Sequence, residues 1–209
     1  MTTKQEMLDE ISSDTERTSA AELTAIGLKI DAAIRQYQPK RFWFNESRSV
    51  TFNTVASTEV YTFSTIGTEF YKIDGAFLTN GSEIIELERV NYTEIEPGQA
   101  TPPEAAPFAY AYIAKSVRLY DVPDAIYAVR LTGHIKIAAP ASDAEADNIW
   151  MTEAYDLIMC RAKAELYAHR WEDPVNAQIM RAAEGDALNR LLGATHDKVA
   201  LGYLEASEF

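Results

Sequence analysis

Tyr127-Ala128-Val129-Arg130-Leu131-Thr132-Gly133-His134-Ile135-Lys136-Ile137 is the stretch on which the reading of this chain turns. Its odd positions, Tyr127, Val129, Leu131, Ile135 and Ile137, are apolar apart from Gly133. Arg130, Thr132, His134 and Lys136 alternate with them. A period of two places successive side chains on opposite faces of an extended strand. One dry face and one wet face are therefore expected, as in an antiparallel sheet covered on one side.

Short strands of the same character extend upstream, so Ser49 to Ala138 reads as an all-β region. Asn80-Gly81 lies between two apolar-rich stretches and predicts a hairpin, because both residues tolerate positive φ. Phe108, Tyr110 and Tyr112 alternate with alanines, and Ala114-Lys115-Ser116 turns the chain into Val117 and Leu119. The proline-rich stretch Pro97 to Pro107 is expected to be a loop.

Helical periodicity flanks this region on both sides. Lys4 to Ile11 predicts a short helix with Met7, Leu8 and Ile11 on one side. Ser19 with Glu22 three positions on has the form of a capping box. Leu23, Ile26, Ile30, Ala33, Ile34 and Tyr37 then make one apolar stripe up to Pro39. Gly27 inside that helix costs about 1 kcal/mol relative to Ala. Pro140 to Asn148 reads as an acidic linker, and Thr152 is positioned to cap a helix ending near Trp171. Asp173-Pro174 supplies the cap and first residue of a last helix. That helix presents Val175, Ile179, Ala182, Ala183, Leu188, Leu191 and Leu192, with Gly193 placed to close it. Neither short helical segment buries much surface alone, so the two chain ends are expected to meet around an inserted sheet.

The chain has 209 residues and a net charge of −13, from 32 acidic against 19 basic residues. Wrapping of nucleic acid is disfavoured, since phosphate binding needs clustered Lys and Arg. Cys160 is the only cysteine, which excludes an internal disulfide and suits a reducing compartment. Met1 to Asp14 is polar and carries no signal-peptide pattern, and no apolar run has the length of a membrane span.

Residues that carry chemistry give bland readings. His134, His169 and His196 fall outside HExxH or CxxC spacings, so no metal ligand set is expected. Glu165 and His169 are four apart on a helix and read as a surface pair. Cys160, among Leu157, Ile158 and Ala164, reads as a packed thiol. No glycine-rich phosphate loop is present. No catalytic, cofactor-binding or metal residue is assigned. Phe42, Trp43 and Phe44, after Arg41, read as a structural junction that locks the helical part onto the sheet, with a partner-docking patch as the other reading.

Arg41-Phe42-Trp43-Phe44-Asn45-Glu46, Thr51-Phe52-Asn53-Thr54-Val55 and Arg118-Leu119-Tyr120-Asp121-Val122-Pro123 resemble the head-to-tail adaptor (connector) proteins of tailed bacteriophages, the short-tailed type especially. Asn148-Ile149-Trp150, Arg161 to Ala168 and Arg181-Ala182-Ala183-Glu184 continue the resemblance, which spans roughly residues 5 to 192. No single motif is specific; order and spacing carry the likeness.

The resemblance implies an α+β fold in which a helical bundle is interrupted by an antiparallel β domain. Its parts are residues 1–45 (N-terminal helical part), 46–140 (inserted β domain), 149–193 (C-terminal helical part) and 194–209 (a docking arm). It implies a non-enzymatic structural virion protein that forms a ring, usually of twelve copies, beneath the portal at the capsid vertex. The partners implied are the portal protein, neighbouring adaptor subunits, and tail or nozzle proteins. DNA would pass through the channel without sequence-specific binding, past a lumen whose acidity repels it. The chain would be made in the host bacterial cytoplasm and end at the head–tail interface of the virion. The stretch after Gly193 lies beyond the resemblance; as a docking arm it would grip through Val199, Leu201, Tyr203, Leu204 and Phe209, and a frayed terminus is the other reading. Another collar or tail-tube component is the alternative, and a peptidoglycan hydrolase a distant third.

Overall fold

The computed structural model describes residues 2–95 and 103–204. In chain order the elements are α1 (Lys4–Thr15), α2 (Ala20–Tyr37), β1 (Glu46–Asn53), β2 (Val60–Thr62), α3 (Phe63–Ile66), β3 (Phe70–Asn80) and β4 (Glu83–Arg89). Then follow α4 (Tyr92–Ile95), β5 (Ala109–Ile113), β6 (Ser116–Tyr120), β7 (Ala128–Ile135), α5 (Ile149–Thr152), α6 (Tyr155–His169) and α7 (Pro174–Leu204). The fold is α+β. One compact unit takes the chain up to Phe44 and from Ile137 onward, and the other is Asn45–Lys136.

The helical unit is built by local signals at its start. Thr3 caps α1 in a full capping box, its hydroxyl accepting from Glu6 N at 3.1 Å while the Glu6 carboxylate accepts from Thr3 N at 2.9 Å. At α2 the box is only half formed. Ser19 accepts from Glu22 N at 3.3 Å, but the Glu22 carboxylate turns to Arg170 and Trp171 instead.

The apolar stripe of α2 does face the core. Ile26, Ile30, Ile34 and Tyr37 pack with Met7, Leu8 and Ile11 of α1, Trp150 of α5, Leu157, Ile158 and Leu166 of α6, and Leu191 of α7. Burying side chains of this size stabilises by roughly 1.5–3 kcal/mol each. Lys4 is buried at the same seam, its Nζ 2.9 Å from both Asp31 and Asp143. Burial pulls its pKa down, but the two carboxylates outweigh that and leave it raised.

Three expectations at the C-terminal end need correction. Thr152 lies inside α5, which Asn148 caps through Trp150 N at 3.2 Å, and α6 starts without a side-chain cap. The buried face of α7 carries Ala177, Glu184, Ala187 and Leu191, whereas Val175, Ile179 and Leu192 are exposed. An alanine-rich helix offers several apolar faces, and the small one packs closest. Gly193 does not close the helix, which runs on to Leu204. A mid-helix glycine costs only about 1 kcal/mol, and Thr195 bonds back to Leu191 O at 2.8 Å to continue the turn.

The second unit is one seven-stranded sheet in the order β1-β7-β3-β4-β5-β6-β2. It is mixed and not purely antiparallel, because β4 and β5 run parallel through Glu88↔Ala109 and Arg89↔Tyr110. The long connection between those strands permits the crossover that a parallel pair needs. Within that connection, residues 103–107 carry no strand, and 97–102 lie outside the described residues. The strands at the two ends of the order meet: Phe52 of β1 and Tyr61 of β2 hold their ring centroids 4.9 Å apart. The sheet therefore curls on itself around Phe52, Tyr61, Ile73, Leu78, Leu119, Val129 and Leu131.

Turn chemistry sets its register. Asn80 pairs with Glu83, so the β3–β4 loop is Gly81-Ser82, with Gly81 at φ +60° in the glycine-first form of a two-residue hairpin. The β5–β6 turn puts Ala114 and Lys115 at φ +48° and +61° without a glycine, a strain of roughly 1–2 kcal/mol each. Ion pairing of Lys115 to Glu69 at 2.6 Å and donation from Phe63 N to Lys115 O at 2.9 Å hold it there.

The alternation of β7 holds at Val129, Leu131 and Thr132 but fails at His134, which is buried with its ring tilted against Tyr71 at 5.1 Å. The register of β3 against β7 shifts between Ile73 and Gly75, leaving Asp74 as an extra residue. Such a bulge re-aims the side chains beyond it. Gly133, at φ +153°, makes this possible, since an added Cβ would fall on the Lys72 carbonyl oxygen.

Candidate functional site

The aromatic run after α2 splits between the core and a groove of the helical unit. Phe42 is fully buried and stacks on Phe44 at 5.3 Å, and both meet Trp150 edge-on, at 6.4 and 5.3 Å. Edge-to-face pairs of this kind add about 0.5–1.5 kcal/mol beyond area burial. Trp43 meets Phe44 edge-on at 5.9 Å and lines the groove beside α7. Its backbone N–H donates to Thr195 Oγ1 at 3.2 Å, and Lys198 Nζ sits 3.1 Å from its ring centroid.

These two contacts tie the last turns of α7 to the start of the junction. The groove beside them is lined by Trp43, Tyr155, Leu157, Arg190, Leu191 and Lys198. Arg190 and Asp156 bridge it at 3.3 Å, both well exposed, so the pair contributes at most about 1 kcal/mol. The lining mixes the aromatic Trp43 and Tyr155 with two cations, Arg190 and Lys198, and two carboxylates, Glu153 and Asp156.

Of the expected docking residues, Val199, Leu201, Tyr203 and Leu204 fall on the last turns of α7, and Phe209 lies outside the described residues. The groove draws in Arg190 and Lys198, with Thr195 holding the Trp43 backbone beside it, and none of the three carries a sequence signal. Thr195 and Lys198 become visible only once α7 is seen to continue past Gly193.

The remaining candidates do not converge on the groove. His169 Nε2 lies 3.6 Å from Glu165, whose carboxylate also meets Arg161 at 2.9 Å and Lys29 at 3.5 Å. His134 is in the sheet unit and His196 is exposed on α7. Cys160 is buried, and that burial pushes its thiol pKa up, away from the reactive thiolate. Among the described residues no group of three His, Cys, Asp or Glu side chains is placed to hold a metal ion. No helix of the described residues is long and apolar enough to cross a membrane. No family model matches the chain, and no curated protein matches it.

Proposed function

We propose that this chain is a structural subunit of a bacteriophage head-to-tail adaptor ring, joining the portal at the capsid vertex to the tail and letting DNA through. The observation that carries the reading is the helical unit assembled from both chain ends, with a curled sheet inserted between Phe44 and Ile137. The sequence resemblance at Arg41 to Glu46 and Arg161 to Ala168 falls on the aromatic junction and on α6, the central helix of that unit. A net charge of −13 per copy suits a channel that DNA must leave without sticking.

Ring interfaces are heterologous, each subunit using two different patches. The exposed apolar side chains of α7 (Val175, Ile179, Leu192) and the Trp43 groove are surfaces of this kind. In the proposed assembly the end of α7, with Val199, Leu201, Tyr203 and Leu204, and Phe209 beyond it in the sequence, grip the portal first and the neighbouring subunit second. Tail or nozzle proteins take the far side.

Electron microscopy of the purified protein mixed with portal tests the reading. The expected result is a monomer or weak oligomer alone and a closed ring on portal. A stable twofold dimer that never joins portal overturns it.

A further inference from the structure

The β3–β4 hairpin leaves one stretch of strand edge open. Glu88 N donates to Phe108 O at 2.9 Å and Val90 N to Tyr110 O at 3.0 Å, so the even positions of this strand aim their backbone groups at β5. Ile84 and Glu86, two and four residues before Glu88, aim the same way. The chain before β5 does not follow them. Ala105 N donates to Val122 O at 2.9 Å and Val122 N to Pro103 O at 3.2 Å, which draws this segment off to the Asp121–Val122 side.

Among the described residues, nothing therefore pairs with the N–H and C=O groups of Ile84 and Glu86 on that side. Side chains along the same edge are equally open. Ile84 is 66% exposed on one face and Ile85 is 37% exposed on the other. Glu83, Glu86 and Glu88 are all exposed, and none has an ion-pair partner among the described residues.

From this geometry we infer that the Ile84–Glu86 edge is a strand-addition site for an extended, cationic segment of a partner protein. An added strand satisfies the four open backbone groups and covers the two isoleucines, and alternate Lys or Arg side chains meet Glu86 and Glu88, which share a face, while Glu83 adds negative charge on the other. A second copy presenting the same edge would set carboxylate against carboxylate, which is how natural sheets avoid pairing with themselves. The inference stands independently of the adaptor reading.

The test uses the full chain and two capped peptides, Lys-Val-Lys-Val-Lys-Val-Lys and its counterpart with Glu for Lys. Amide hydrogen exchange is followed residue by residue. Lys peptide at about nine-tenths occupancy is expected to slow exchange at Ile84 and Glu86 about tenfold, since an amide bonded nine-tenths of the time exchanges only in the rest. The Glu peptide is expected to leave both unchanged.

Glu86→Pro removes an outward donor and no bond of the fold. It should abolish protection at Ile84 while Val129 and Leu131 amides stay slow. Combined Glu83→Lys, Glu86→Lys and Glu88→Lys should reverse the peptide preference. No slowing by the Lys peptide, protection that survives Glu86→Pro, or protection that rises with protein concentration alone would each overturn the assignment, the last by making a second copy the occupant.

Discussion

Tyr37 at the end of α2 donates its hydroxyl to the carboxylate of Glu184 on α7, a buried bond between the two chain ends. Arg161 of α6 adds a cation 3.6 Å from the same carboxylate. Burial first, and then the hydrogen bond to Glu184, push the Tyr37 hydroxyl pKa well up, so it remains a donor across the accessible pH range. Tyr37→Phe leaves a buried carboxylate with one partner fewer, which should cost about 1.5–3 kcal/mol. Denaturant unfolding measures this, and the midpoint should fall without a change in slope. An unchanged midpoint would mean that Glu184 finds water or Arg161 equally well.

That tie also shows where sequence reasoning stops. Tyr37 was legible as the last apolar position of the α2 stripe, and Asp173-Pro174 as the start of α7, because both signals lie within one or two turns. Asp173 does cap α7, accepting from Asn176 N at 3.0 Å. Glu184 carried no such signal, since its partner is 147 positions away. The face of α7 was misread for a related reason. Val175 and Ile179 are larger than Ala177 and Ala187, yet close packing against α6 selects the small residues. The Trp43 groove was half legible: the aromatic run was visible, but Thr195 and Lys198 depend on α7 passing through Gly193.

In the sheet, Gly133 and Leu131 fail by different routes. Gly133→Ala places a Cβ onto the Lys72 backbone at a left-handed φ, a cost expected to exceed about 2 kcal/mol. Leu131→Asp buries an unpaired charge at a fully covered position and should unfold the sheet unit. Thr132→Asp sits on the half-exposed face and should keep the protein soluble, losing only the 3.3 Å bond to Gly75 O. Soluble yield and near-ultraviolet circular dichroism separate the three. Equal loss for Leu131→Asp and Thr132→Asp would place the register one residue off.

Gly27 offers a gain. An added Cβ there would lie 3.8 Å from Leu8 Cδ1, ordinary contact distance. Gly27→Ala should therefore stabilise by about 0.5–1 kcal/mol through the lost flexibility of the unfolded chain. A raised melting temperature is the readout. A fall would mean that α1 and α2 sit closer than this spacing allows.

The acid limb of stability should contain a contribution from Glu22. Hydrogen bonds from Arg170 first and Trp171 second hold its pKa below the ordinary 4.5. A folded pKa below the unfolded one means stability that is complete above 4.5 and lost as pH falls through the folded value. The melting temperature of Glu22→Gln should therefore lie below that of the parent at neutral pH and converge with it as pH drops toward about 3. Parallel curves over that range would show that the Arg170 contact has no part in the pH dependence.

Two truncations separate the structural share of the C-terminal helix from its docking share. Ending the chain after Gly193 removes both Thr195 and Lys198, and with them the 3.2 Å bond to Trp43 N and the cation over the Trp43 ring. Together these contacts should contribute about 1–2 kcal/mol, so this variant should fold with a lowered midpoint and more exposed Trp43 fluorescence. Ending the chain after Lys198 keeps both contacts and removes only the residues from Val199 onward. Its midpoint and fluorescence should match the full chain, yet it should fail to join portal-bearing heads in the proposed assembly. Normal joining by the Lys198-ended chain would remove Val199, Leu201, Tyr203, Leu204 and Phe209 from the docking surface and leave the Trp43 groove as the remaining candidate. Loss of joining only in the Gly193-ended chain, alongside its lowered midpoint, would make the end of α7 a brace for Trp43 and not a grip on the portal.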